Sequence, residues 1–170
     1  MTISFMKRFV PALFLSAAVT ASPAAQMPKY GVTVTADKNV DYSKFKTYSW
    51  TQGQPSAVKA IDAQIVAAVD RELGALGMAK STSGPGDVMV AYYSLTRTDV
   101  NVHGKADAEG KRPEYSVGTL VVALLDPATR HRTLRLRADK PIETAPGKLE
   151  AAIDSAVSEL FAKYPTRQKQ

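Results

Sequence analysis

Two stretches of this chain repeat their apolar residues at helical spacing, and most of what lies between them alternates as strands do. Ile61, Ile65, Ala68, Val69, Leu73 and Leu76 recur at steps of three and four, with Asp62, Arg71 and Glu72 mainly on the other side. Leu149, Ala152, Ile153, Ala156, Val157, Leu160 and Phe161 form a second stripe of the same kind. Helices of this type fold only by burying the stripe, so a sheet must supply the other wall of the core. Pro55 and Ser56 predict the start of the first helix, with Ser56 as N-cap and Gly77 just past its end. Pro146 and Gly147 introduce the second helix, and Pro165 bars its continuation.

The sheet is read from four regions. Tyr30 to Ala36 alternates, with Val32, Val34 and Ala36 on one side and Thr33 and Thr35 on the other. Lys44 to Trp50 is rich in β-forming aromatics, and polar Asp37 to Asn39 predicts a bend or hairpin-like excursion between these two strands. After the Gly84-Pro85-Gly86 turn, Val88 to Leu95 is apolar on both faces and so belongs in the middle of the sheet. The polar composition of Arg97 to Glu114 predicts a loop or an irregular hairpin tip. Tyr115 to Leu125 and Arg132 to Asp139 then form a hairpin around the Asp126-Pro127-Ala128-Thr129 turn. Alternation on its second strand turns Leu134, Leu136 and Ala138 inward and Thr133, Arg135 and Arg137 outward. The expected fold is α+β, a mostly antiparallel sheet with two amphipathic helices on one face in a two-layer sandwich.

The N-terminus reads as a secretory leader over residues 1–25. Lys7 and Arg8 form a basic start, and Phe9 to Val19 is an apolar core too short to span a bilayer, which needs about 20 residues. Small residues from Ala21 to Ala25 supply the region for cleavage, and Met6 is an alternative start. The mature chain is then expected to be one domain over 26–165 with a flexible polar tail at 166–170, periplasmic and without a transmembrane span. The chain has no cysteine, which removes disulfides, thiolate metal sites, cysteine nucleophiles and a lipid-bearing cysteine together. Losing Lys7 and Arg8 lowers the formal charge from +6 to about +4, spread thinly along the chain, which argues against nucleic acid as a partner.

Val40-Asp41-Tyr42-Ser43-Lys44-Phe45-Lys46-Thr47-Tyr48-Ser49-Trp50, then Gly86-Asp87-Val88, and Tyr115-Ser116-Val117-Gly118-Thr119-Leu120-Val121-Val122 followed by Asp126, resemble the bacterial envelope proteins classed as domain of unknown function 4136. The similarity runs from about Tyr30 to Pro165. Many members of that family are lipoproteins, whereas this chain lacks the cysteine, and it carries Leu134 and Leu136 where members tend to have tryptophan and then glycine. The resemblance implies a fold and an envelope compartment and carries no catalytic residue.

Chemistry-bearing motifs are few. His103 and His131 show no ligand spacing, no G-x-S-x-G is present, and Gly84-Pro85-Gly86 lacks the lysine of a phosphate loop. Trp50, Tyr92 and Tyr93 read as core aromatics before they read as a pocket. The notable cluster is Arg130, Arg132, Arg135 and Arg137, of which Arg132, Arg135 and Arg137 are the candidate contacts for an anion or lipid headgroup. The same residues also suit an edge strand guarded by charge. The expectation is a non-catalytic accessory or binding domain of the periplasm, without a cofactor, its partner an envelope protein or an anionic lipid. An enzyme with an unfamiliar site and a structural or stress-related envelope component are the alternatives.

Overall fold

The computed structural model describes residues 30–142 and 147–168, so residues 1–25, read above as a leader, lie outside the described residues. The strands are β1 (Gly31–Ala36), β2 (Thr47–Trp50), β3 (Ala79–Lys80), β4 (Val88–Val100), β5 (Glu114–Leu125) and β6 (Arg132–Pro141). The helices are α1 (Lys59–Ala75) and α2 (Lys148–Ala162). One six-stranded sheet runs in the order β1-β6-β5-β4-β2-β3. It is α+β as expected but mixed, because β2 lies parallel to both β3 and β4 while the other three pairs are antiparallel. A parallel neighbour demands a crossover, and α1 supplies it between β2 and β4.

Register aligns the apolar residues of successive strands into rows on one face. Ala36, Leu134, Leu124 and Val90 make one such row, and Val34, Leu136, Val122 and Tyr92 the next. Against this face α1 buries Ile65, Ala68, Val69 and Leu73, and α2 buries Val157, Leu160 and Phe161. Polar pins fix α1 to the sheet: Asp70 accepts from the Tyr48 hydroxyl at 2.7 Å and from Trp50 Nε1 at 2.8 Å, and Asp62 accepts from the Tyr92 hydroxyl. Burial, followed by the Asp62 hydrogen bond, pushes the Tyr92 phenol up to about 12, so it stays a donor. The edge-to-face pair of Trp50 and Tyr92 belongs to this helix-facing core, whereas Tyr93 points to the other side of the sheet.

Several expectations are corrected. Ser56 does not cap α1. Residues 51–56 are held extended along β4, with Thr51 N donating to Val90 O (2.8 Å), Gln54 N to Tyr92 O (2.9 Å) and Ser56 N to the Tyr92 hydroxyl (3.1 Å), so the chain cannot coil until Val58. At the other end Gly77 takes φ +82° and donates to Gly74 O, while Met78 N reaches Leu73 O, closing the helix with two bonds as predicted. β1 and β2 form no hairpin. β1 takes β6 as its partner at the far edge, and the connection is anchored where the buried Tyr42 hydroxyl reaches Thr133 O at 2.6 Å. β2 starts at Thr47 because Tyr42–Lys44 is a 3-10 turn capped by Asp41.

β4 does not stop at Leu95. Arg97 to Val100 pair with Glu114 to Val117, since alternating polar residues also build a strand when their side chains find partners, and only 101–113 forms the tip. Thr133, read as outward, is buried because a bulge between Leu124 and Leu125 leaves it unpaired in the ladder, its hydroxyl donating to Leu124 O. Thr166 to Gln168, expected in a frayed tail, complete a 3-10 turn whose Arg167 bonds Glu72 of α1 at 2.8 Å.

Just before that turn, Tyr164 stacks on Phe161 and meets Tyr42 edge-on, and its hydroxyl is buried with no hydrogen-bond partner among the described residues. A buried donor left unmade costs free energy that its removal recovers. Tyr164→Phe is therefore expected to raise stability by about 1 kcal/mol in urea denaturation, against the loss expected for most core substitutions.

Candidate functional site

The face of the sheet turned away from the helices has no described helix over it. Strict alternation places Thr33 and Thr35 of β1, Arg135, Arg137 and Asp139 of β6, Thr119 and Val121 of β5, and Tyr93 and Arg97 of β4 there. Arg132 stands opposite Leu125 and shares that side. The three candidate arginines thus come together on one face, but they differ in what they hold.

Arg137 is already engaged. Its Nε and Nη2 grip the two oxygens of Asp139 at 2.7 and 2.9 Å, two residues along the same strand face. Asp139 Oδ1 also accepts from Arg97 at 2.8 Å and from Thr119 at 2.6 Å, and Arg97 reaches on to Asp99, which the Tyr30 hydroxyl approaches at 3.2 Å. Burial alone would raise the Asp139 carboxyl, yet the hydrogen bonds from Arg137, Thr119 and Arg97 outweigh it and hold the group well below the usual carboxylate range. Arg130, in the β5–β6 turn at φ +61°, spends its guanidinium on the Thr51 hydroxyl at 3.1 Å.

Arg132 and Arg135 have no hydrogen-bond or ion-pair partner among the described residues. Arg132 is exposed and Arg135 half-buried. Burial, then the like charges of Arg137 and Arg132, make the charged state of Arg135 less favourable than that of a free arginine. Among the described residues, the carboxylate of Asp139, already shared with Arg137 and Arg97, is what favours the charge. An arriving anion would relieve this imbalance. Asp139 is the residue that sequence reasoning overlooked, although an Arg-x-Asp step on an alternating strand puts both groups on one side.

The Asp139 network has a pH signature. Its carboxyl is depressed in the folded state, so its contribution is complete above the unfolded value near 3.9 and disappears as pH falls through the folded one. The thermal midpoint should accordingly fall between about pH 4 and pH 2. Asp139→Asn should flatten that part of a calorimetric pH series.

His103 sits in the exposed β4–β5 tip, and His131 lies beside the β5–β6 turn with Nε2 3.9 Å from Asp37. Among the described residues, no group of three or more histidines and carboxylates is close enough to hold a metal ion.

A family model described as Domain of unknown function (DUF4136) matches residues 32–166, nearly the whole described chain. The protein belongs to this DUF4136 family. A DUF4136 family protein from Bacteroides thetaiotaomicron superposes with a TM-score of 0.54 at 14% identity, over 83% of this chain and 98% of that one. The PelC dodecamer protein of Paraburkholderia phytofirmans gives a TM-score of 0.54 at 10% identity, over 83% and 99% of the two chains. A PDZ domain protein from Parabacteroides distasonis gives 0.55 at 15% identity over 80% of this chain, which spans about 35% of that larger protein. At these identities the likeness is one of fold. A search of curated proteins found no match. The DUF4136 domain contains no described helix long and apolar enough to cross a membrane.

Proposed function

We propose that this DUF4136 domain is a non-catalytic binding module of the bacterial cell envelope, exported to the periplasm by a cleaved leader. It meets phosphate or carboxylate groups of an anionic envelope surface through the open face of its sheet. The observation that carries this reading is the contrast on β6: Arg137 is saturated by Asp139, while Arg132 and Arg135 on the same face have no hydrogen-bond or ion-pair partner among the described residues. Guanidinium groups are suited to bidentate contact with phosphate oxygens, and a strand fixes their spacing.

Co-sedimentation with vesicles of phosphatidylglycerol in phosphatidylcholine tests the proposal. Each basic residue near an anionic bilayer is worth about 1 kcal/mol, so Arg132→Gln with Arg135→Gln should weaken binding roughly 30-fold. Pure phosphatidylcholine should retain little protein, and raising salt should release it. Wild-type and doubly substituted protein binding alike would refute the reading. Competition by inorganic phosphate at millimolar concentration separates recognition of a phosphate group from attraction to the charged surface as a whole.

A further inference from the structure

On the opposite side of the sheet, where the N-terminal halves of α1 and α2 meet the middle of β4 and β5 and the end of β6, the core is incomplete. A cleft of about 200 Å³ remains there. Ile61 and Ile65 of α1, Leu149 and Ile153 of α2, Leu120 of β5 and Ile142 just after β6 form its walls. It stays open because the positions that would fill it are small. Gly118 and Ala138 floor it and Ala156 roofs it, and a Cβ added to Gly118 would come within 3.4 Å of Ile142 Cγ1.

The chemistry of the wall selects the occupant. Among the described residues, apart from four hydroxyl residues and Lys140 the lining is aliphatic or glycine, with no aromatic ring for a planar ligand to stack on. Peptide backbone would find too few partners for its N–H and C=O groups and would lose more than it gained by entering. The volume is close to that of an engineered apolar cavity of about 150 Å³ that binds benzene, and below the roughly 300 Å³ of a pocket for a drug-sized ligand. Lys140, the one charged residue of the wall among the described residues, shares its ammonium with Glu159 on α2, an exposed pair open to exchange with a second anion. We infer that this cleft takes the end of a single unbranched acyl chain whose acidic head lies by Lys140. The site lies on the opposite face from Arg132 and Arg135 and stands whether or not those residues bind anything.

Isoleucine labelling reads this site almost alone, since four of the five isoleucines, Ile61, Ile65, Ile142 and Ile153, line the cleft and the fifth is Ile3. Monomeric lauric acid titrated into the protein should move the δ1-methyl resonances of those four in a saturable way. Dodecanol, with the same chain and no charge, should bind more weakly. Ala156→Leu fills the roof with a good helix former and should weaken lauric acid binding about tenfold, the worth of excluding roughly two methylenes, while the fold is retained. Ala152→Leu serves as an independent filling variant. Unmoved isoleucine methyls up to the solubility of lauric acid, or equal affinity in the wild-type and filled proteins, would overturn the inference.

Discussion

Phe161→Ala should remove about 3–5 kcal/mol of stability, a large part of the 5–15 kcal/mol that domains of this kind possess. Phe161 is fully buried on α2, stacked against Tyr164 with ring centroids 6.3 Å apart, and belongs to the cluster that joins both helices to the helix-facing side of the sheet. Truncation forfeits the burial of the ring and leaves a void that rigid strands on one side and α1 on the other cannot collapse to fill. Urea denaturation measures it: the midpoint should drop sharply with the slope unchanged. A loss below about 1 kcal/mol would mean that α2 is not seated on the sheet as described.

Gly53→Ala should cost about as much, near 4 kcal/mol, at the upper end of single substitutions, and for a reason that owes nothing to burial. A Cβ on residue 53 would stand 2.1 Å from the carbonyl oxygen of Tyr92. The obstacle is backbone, so no rotamer relieves it. Residues 51–54 would have to leave β4, breaking the bonds from Gln54 N to Tyr92 O and from Ser94 N to Gln54 O. The hold of the Tyr92 hydroxyl on Ser56 N, which delivers the chain to α1, would be strained with them. Amide exchange at Gln54 and Ser94 should therefore speed up in the variant well beyond the global loss. A variant of wild-type stability would show that this segment does not run against β4.

How far the sequence discloses the fold depends on where the deciding interaction lies. α1 and α2 were legible because a stripe at three- and four-residue spacing has one solution, and the end of α1 at Gly77 followed from a conformation that glycine adopts freely. The hairpin of β5 and β6 was legible for a similar local reason, with Asp126 capping its own turn through Ala128 N and Thr129 N. What escaped was set from afar. Nothing near Ala36 announces that β1 pairs with a strand 100 residues later, and the start of α1 is fixed by the hydroxyl of Tyr92, far from the local cap signal at Ser56. The polar stretch after Leu95 was misjudged because Arg97 finds Asp139 across the sheet and Asp99 the hydroxyl of Tyr30. The same holds for the site. Alternation brought Arg132, Arg135 and Arg137 to one face, but only the placement of Asp139 and Thr119 distinguishes the engaged arginine from the two without a hydrogen-bond or ion-pair partner among the described residues. The cleft left by Gly118, Ala138 and Ala156 arises from three distant elements and has no local signature.

The central claim, that the side of the sheet turned away from the helices is the working surface, is tested most directly by mapping amide and methyl resonances during titration with anionic bicelles. The account predicts shifts and broadening centred on Arg132, Arg135, Thr33 and Thr35, with the Leu73, Val157 and Phe161 signals of the helix side unmoved. Perturbation confined to the exposed faces of α1 and α2, with β6 unaffected, would contradict it.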